Sequence, residues 1–175
     1  MAARKQKVIE LALQGGGAHG AFTWGVLDRL LEDGRIRIEG LSGTSAGAMN
    51  GAVVADGIAS GGYDAAREGL QNFWSAVSAA AQFSPIRRSP IDMALRRWTL
   101  DWSPGYQAAE TLSRVFTPYN LNPLDINPLR DIVAEQVDFE RVNQCRDLKL
   151  FVTATNVRTG RPKIFRQPDI SVDAL

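Results

Sequence analysis

Residues Leu41-Ser42-Gly43-Thr44-Ser45-Ala46-Gly47-Ala48-Met49 decide how this chain folds. A short apolar run, Ile36 to Leu41, leads into the stretch, and a run of small residues, Ala46 to Ala55, leads out of it. This order predicts a strand, a sharp turn and a helix, with Ser45 at the turn.

The spacing Gly43-x-Ser45-x-Gly47 is that of a nucleophile elbow. In such a turn the serine projects from the carboxyl edge of a sheet, on a strained backbone that only small neighbours permit. Gly43 and Gly47 would let the strand and the helix approach without a Cβ between them. Ser45 would also lie at a helix N-terminus, where free N–H groups favour negative charge. Ser45 is therefore the candidate catalytic nucleophile.

The first 57 residues alternate strand and helix. Val8 to Leu13 reads as a buried strand, Gln14 to Gly20 as a glycine loop, and Gly34 as the end of a helix. That helix has apolar residues at helical spacing, which we expect on one side: Phe22, Val26, Leu27, Leu30 and Leu31. Strand, helix, strand, helix predicts a parallel pair with a right-handed crossover, with sites at the carboxyl ends of the strands.

The remainder is expected to belong to the same domain, 1–175. A glycine-serine break falls at Gly57 to Gly62, and residues 63–137 are expected to form a helical insert or lid-like region. Pro128 is expected to open a helix that runs through Val137. Two strands should follow, Leu148 to Thr155 and Lys163 to Arg166.

Arginine and tryptophan residues mark the insert, and they allow two interpretations. They could contact phospholipid head groups at a membrane surface, or a core tryptophan could pack beside solvated arginines. The pattern favours the second, since no amphipathic stripe extends across the segment. The residues concerned are Trp74, Arg87, Arg88, Arg96, Arg97, Trp98 and Trp102.

Composition excludes several classes of protein. A formal net charge of +1 gives no electrostatic case for nucleic acid. The single cysteine, Cys145, excludes an internal disulfide. Asp125, Asp131 and Asp138 are not spaced as metal ligands, so we expect no metal. The first apolar run stops at Leu13, too short for a signal peptide or a membrane span, and a cytoplasmic location is the default.

The glycine loop allows two functions. Gly15, Gly17 and Gly20 satisfy the dinucleotide fingerprint G-x-G-x-x-G, with Glu39 about 20 residues on, so an NAD- or FAD-binding module is one alternative. The other is an oxyanion hole, in which backbone N–H groups hold a developing negative charge. A Rossmann unit has its acid at the end of the second strand and no use for the Ser45 turn. The pairing of loop and turn at one sheet edge therefore favours acyl transfer.

At these residues the chain resembles the patatin-like phospholipase family. The resemblance rests on Gln14 to Gly20 with its helix, and on Gly43 to Gly47, about 25 residues apart. It implies a three-layer α/β/α fold with a central, mostly parallel sheet. It also implies a lipid acyl hydrolase (a phospholipase A, lysophospholipase or esterase) that uses a Ser–Asp dyad without a cofactor or metal. Ser45 would be the nucleophile, and Gly15, Gly16 and Gly17 would supply the oxyanion hole.

Two departures from the family pattern stand out. The family usually carries Arg or Lys before the last glycine of the loop, where this chain has His19. The family's catalytic aspartate lies in a late Asp-Gly-Gly or Asp-Gly-Ala motif, and neither occurs here. Asp33 and Asp56 are the only aspartates before a glycine. Asp33 ends a helix, and Asp56 would lie about 16 Å from Ser45 along a continuous helix, so neither should reach the serine.

The sequence therefore predicts a hydrolase site without its base. We expect the base on a missing C-terminal segment or on a second chain, and we expect these 175 residues alone to be nearly inactive. The expected substrate is a lipid or fatty acyl ester, with peripheral membrane contact left open. A non-catalytic patatin-like scaffold is a third alternative. His19 as the base is disfavoured, because triads of this type place their histidine late in the chain.

Overall fold

A computed structural model describes residues 6–82, 90–96, 103–115 and 127–175. The chain divides into two compact units, one of Met1–Ala76 with Leu129–Leu175 and one of Val77–Pro128. The candidate site residues all lie in the first unit. The extent of the insert, 63–137, and the single domain 1–175 stay predictions.

The first unit is built on a four-stranded sheet with helices around it. Its strands are β1 (Lys7–Leu13), β2 (Ile36–Gly43), β3 (Lys149–Thr155) and β4 (Pro162–Arg166). They lie side by side in the order β1-β2-β3-β4. The first three are parallel and β4 is antiparallel to β3. The predicted α/β fold with a mostly parallel sheet is confirmed.

Helices connect and cover these strands. They are α1 (Gly20–Asp33), α2 (Ala46–Gly61), α3 (Tyr63–Ala81), α6 (Pro128–Gln136) and α7 (Phe139–Gln144), with α4 (Pro90–Ala94) and α5 (Pro104–Val115) in the second unit. Short 3-10 turns lie at Gly17–His19 and Val172–Ala174. Gly34 ends α1 with a φ of 65°, the left-handed conformation that a glycine adopts without steric cost.

Helix α2 is the centre of the core. It packs against β1, β2 and β3, and its residues from Ala46 to Gly57 are almost all buried. Small side chains allow this close approach: a Cβ on Gly51 would lie 2.8 Å from Cδ1 of Leu150. Leu13 and Gly43 pair with each other at the ends of β1 and β2, and Gly43 also pairs with Val152 of β3, which continues for three more residues to Thr155. This edge of the sheet is where the candidate site forms.

The expected break at Gly57 to Gly62 is wrong for most of its length. Helix α2 continues to Gly61, and only Gly62 leaves the helical conformation. Gly57 is needed for packing instead, because a Cβ there would lie 2.3 Å from Cα of Ala66 in α3. The glycine marks a close crossing of two helices.

The expected apolar face of α1 is also only partly right. Leu27 and Leu31 are buried, whereas Phe22 is 78% and Val26 45% exposed. Phe22 lies five residues before Leu27, about 140° away around the helix axis. The apolar residues therefore occupy two faces, and the core covers one of them.

Candidate active site

Ser45 lies at the turn between β2 and α2, as predicted. It is the N-cap of α2, its φ is 52° and its ψ is −128°, and its side chain is exposed. A positive φ is costly for a residue with a Cβ and is typical of functional sites. Among the described residues, none forms a hydrogen bond with the exposed Ser45 hydroxyl group.

Gly43 and Gly47 make this turn sterically feasible. A Cβ on Gly43 would lie 2.6 Å from the backbone nitrogen of Ala48, and one on Gly47 would lie 2.3 Å from the carbonyl oxygen of Leu13. Both distances are to backbone atoms, which cannot move aside cheaply. Any side chain at either position would push α2 away from the strand ends, and Ser45 with it.

The glycine loop lies directly against the elbow. A Cβ on Gly15 would lie 3.1 Å from the carbonyl oxygen of Thr44 and 3.3 Å from Cβ of Ser45. Within the described residues, no backbone acceptor pairs with the N–H groups of Gly15, Gly16 and Gly17. The structure thus brings together the two motifs that the sequence paired, with unpaired donors on the loop.

His19 is hydrogen-bonded to another residue of the same glycine loop. Its backbone N–H and its ring Nδ1 both lie 3.1 Å from the carbonyl oxygen of Gly16. A carbonyl only accepts hydrogen bonds, so this contact is a hydrogen bond in which Nδ1 is the donor, and it assigns the proton to Nδ1. Its bond partner is the loop and not Ser45, which agrees with the sequence-based preference against His19 as the base.

A buried polar group fixes the far end of the loop. Nδ2 of Asn50 donates to the carbonyl oxygen of Gly20 at 3.0 Å, and Oδ1 of Asn50 accepts from Nε1 of Trp74 at 2.8 Å. Asn50 is fully buried and Trp74 is 8% exposed. The bonds join the loop to α2 and α3, and they confirm the core interpretation of Trp74.

Sequence analysis did not identify Asn50. Its one visible signal was an amide side chain inside a helical run of small apolar residues. Because a buried amide is costly without partners, such a residue indicates a buried hydrogen-bond network. Its partners lie 24 and 30 residues away, so the sequence could not name them.

Strand β3 holds the elbow from the other side. Oγ1 of Thr44 donates to the carbonyl oxygen of Thr153 at 2.9 Å. Thr153 follows Val152, the β3 residue paired with Gly43. The residue before the serine is therefore attached to β3 one residue beyond the last position that pairs with β2.

The two aspartates that precede a glycine both have arginine partners. Asp33 pairs with Arg35, whose Nη2 lies 2.6 Å from Oδ2, and this hydrogen bond lowers the pKa of the Asp33 carboxyl group. The carboxylate of Asp56 is bound by Arg141, at 2.6 Å to Nε and 3.1 Å to Nη2. The bond raises the pKa of the Arg141 guanidinium further above its usual value. Neither aspartate is bonded to Ser45.

Two open clefts flank the elbow. One, of about 390 Å³, is lined by the loop residues Gln14, Gly15, Gly16 and His19 together with Phe22 and Thr23. The other, of about 380 Å³, lies between the ends of the three parallel strands. Gln14 lines both clefts, and Gly43 and Thr44 of the elbow line the second.

Glu39, the acid of the dinucleotide alternative, lies within β2 and not at its carboxyl end. Its carboxylate is 3.8 Å from Nη2 of Arg37. A ribose-binding acid would have to follow the strand. The position of Glu39 therefore gives that alternative no support.

Some expectations fall outside the described residues. Arg87, Arg88, Arg97, Trp98 and Trp102 lie there, so the head-group interpretation stays a prediction. Among residues 6–82, 90–96, 103–115 and 127–175, no cluster of three His, Cys, Asp or Glu could hold a metal ion. No helix in these ranges has the length and the apolar character that a membrane span requires.

Comparison with known proteins gives one family match. The family model of the patatin-like phospholipases matches residues 11–175. A solved structure, the heterodimeric ExoU–SpcU complex from the type III secretion system of Pseudomonas aeruginosa, contains a similar chain. The identity is 21% and the TM-score 0.44, over 96% of this chain and 35% of that one. No curated protein matches the sequence.

Proposed function

The chain belongs to the patatin-like phospholipase family, and we propose that it provides the nucleophile and the oxyanion hole of a lipid acyl hydrolase. The observation that supports the proposal is the close approach of Gly15 to the carbonyl oxygen of Thr44 and the Cβ of Ser45. Gly15 opens a loop of three glycines whose N–H groups have no backbone acceptor among the described residues, and the serine beside it is exposed at a helix N-terminus.

The proposed reaction is acyl transfer through a covalent intermediate. Oγ of Ser45 loses its proton to a base and attacks the ester carbonyl carbon. The N–H groups of Gly15, Gly16 and Gly17 donate to the oxyanion of the tetrahedral intermediate. The N–H of Ala46, the residue after the nucleophile, is a further candidate donor that sequence analysis overlooked. The alcohol leaves with a proton, and water then releases the fatty acid and restores Ser45.

We further propose that the base is an aspartate on another segment of the protein or on a second chain. The support is that Asp33 and Asp56, the two aspartates followed by glycine, are bound by Arg35 and Arg141. A serine without a base reacts slowly, and loss of one member of a nucleophile–base pair costs nearly as much as loss of both. The 175 residues alone should hydrolyse esters at least about 1000-fold more slowly than the complete protein.

The direct test is a fluorophosphonate probe on the full-length protein. Covalent label should appear on the peptide that contains Ser45 and should be absent from the Ser45→Ala variant. Hydrolysis of a nitrophenyl ester and of phospholipid vesicles should fall together in that variant. A folded full-length protein that takes no label would refute the proposal. Unchanged turnover by Ser45→Ala would place the chemistry elsewhere.

A further inference from the structure

The peptide between Gly16 and Gly17 has little steric constraint of its own. Neither flanking residue has a Cβ, and the φ of Gly17 is 55°, in the left-handed region. A peptide between two glycines can rotate by half a turn at little steric cost, because both residues tolerate positive and negative φ. Rotation would point the Gly16 carbonyl oxygen where the Gly17 N–H had pointed.

That rotation matters for an oxyanion hole. In a planar trans peptide the C=O and the following N–H point in opposite directions. The direction of the Gly16 carbonyl group therefore determines that of the Gly17 N–H group. A carbonyl oxygen turned towards the oxyanion would repel it, whereas an N–H group would stabilise it.

His19 fixes this direction with two donors. Its backbone N–H and its Nδ1 both approach the Gly16 carbonyl oxygen, each at 3.1 Å. The backbone bond belongs to the 3-10 turn, but the ring bond is a contribution of this side chain alone. The Gly17 N–H, on the opposite side of the same peptide, has no backbone acceptor among the described residues.

We propose that His19 is a positioning residue for the oxyanion hole, which holds the Gly16–Gly17 peptide so that the Gly17 N–H can bind the oxyanion. The inference rests on the proposed function. It gives His19 a role through Nδ1 and requires neither proton transfer nor contact with the substrate.

The atom involved makes the proposal testable with matched variants. The amide nitrogen of asparagine can take the place of Nδ1, whereas that of glutamine reaches the place of Nε2. In the full-length protein, His19→Ala and His19→Gln should lower kcat by about tenfold or more at nearly unchanged KM, because the donor acts mainly in the transition state. His19→Asn should recover most of the rate. Thermal unfolding of each variant checks that the fold is intact.

The ring itself provides a readout that needs no activity. Nitrogen-15 NMR of the imidazole should show the Nδ1–H tautomer at neutral pH, in wild type and in Ser45→Ala alike. An Nε2–H tautomer would overturn this inference and leave the proposed function standing. An unchanged kcat in His19→Ala, or equal activity of His19→Gln and His19→Asn, would also overturn this inference. A wild-type protein with the Nδ1–H tautomer but no ester hydrolysis would instead overturn the proposed function, and the role of His19 with it.

Discussion

Asn50 and Trp74 share a buried hydrogen bond of 2.8 Å that ties the helix following the nucleophile to helix α3. The same amide group donates to the carbonyl oxygen of Gly20. One fully buried side chain thus satisfies a donor and an acceptor from two other parts of the chain. The glycine loop is attached to the core at this point.

Replacement of Asn50 by alanine should strongly destabilise the protein. The Trp74 N–H and the Gly20 carbonyl group would both lose their partner, and each buried unsatisfied group costs about 1–3 kcal/mol. We expect the free energy of unfolding in urea to fall by about 2–4 kcal/mol. Trp74→Phe, which removes the indole N–H, is the matched variant, and the double variant should cost less than the two single losses added. Additive losses would contradict the shared bond.

Two glycine-to-alanine changes should have opposite effects. At Gly47 the new Cβ would meet the Leu13 carbonyl oxygen at 2.3 Å, so Gly47→Ala should displace α2 and lower both stability and Ser45 labelling. At Gly25, on the exposed surface of α1, no described atom apart from the nearby helix backbone and the adjacent residues lies within 4 Å of the new Cβ. Gly25→Ala should therefore stabilise by roughly 0.5–1 kcal/mol through helix propensity. Thermal unfolding and probe labelling of both variants provide the comparison. Unchanged stability and labelling in Gly47→Ala would refute the tight contact.

The backbone of Ser45 predicts a difference between two inactive variants. At a φ of 52° glycine is unstrained, whereas alanine keeps the Cβ that makes this conformation costly. Ser45→Gly should be more stable than Ser45→Ala by about 1 kcal/mol, offset in part by the greater freedom of glycine in the unfolded chain. Neither should take the fluorophosphonate label. Equal or reversed melting temperatures would indicate that Ser45 is not strained.

Asp56 should matter for stability and not for chemistry. Its side chain is 11% exposed and its partner Arg141 is 41% exposed, so solvent screens the ion pair on one side. Asp56→Asn should lower the free energy of unfolding by about 1–2 kcal/mol, less than for a fully buried pair. The rate of Ser45 labelling in the full-length protein should stay within about twofold of wild type. A loss of labelling in a folded variant would identify Asp56 as part of the reactive group.

The sequence predicted the elbow and the loop well because both depend on local features. Gly43, Ser45 and Gly47 form one turn, and short-range sterics decide its shape. The level ends of β1 and β2 then bring Gly15 to Ser45, as topology requires. The pairing of loop and turn was therefore predictable from two motifs and their order.

Contacts between distant segments were not predictable in the same way. Gly57 was expected to begin a break between helices. Its close neighbour Ala66 belongs to another helix, so the local sequence does not reveal that contact. Phe22 was expected on one side of α1 with Leu27 and Leu31, because the sequence alone does not say which apolar residues of the helix the core covers. The structural role of Asn50 was not predicted, because its hydrogen-bond partners are distant in the sequence.

The hydrogen bond from Thr44 to Thr153 has a consequence for synthesis. Its two residues are 109 positions apart in the chain. When the elbow emerges from the ribosome, the strand to which it will be attached has not yet been synthesised. Long-range parallel pairing of this kind is slow, since the intervening chain must be closed into a loop first. The loop and the serine can meet early, but the attachment of the elbow to β3 must wait until residue 153 has emerged. A nascent chain would carry an exposed, incompletely held serine turn for that interval.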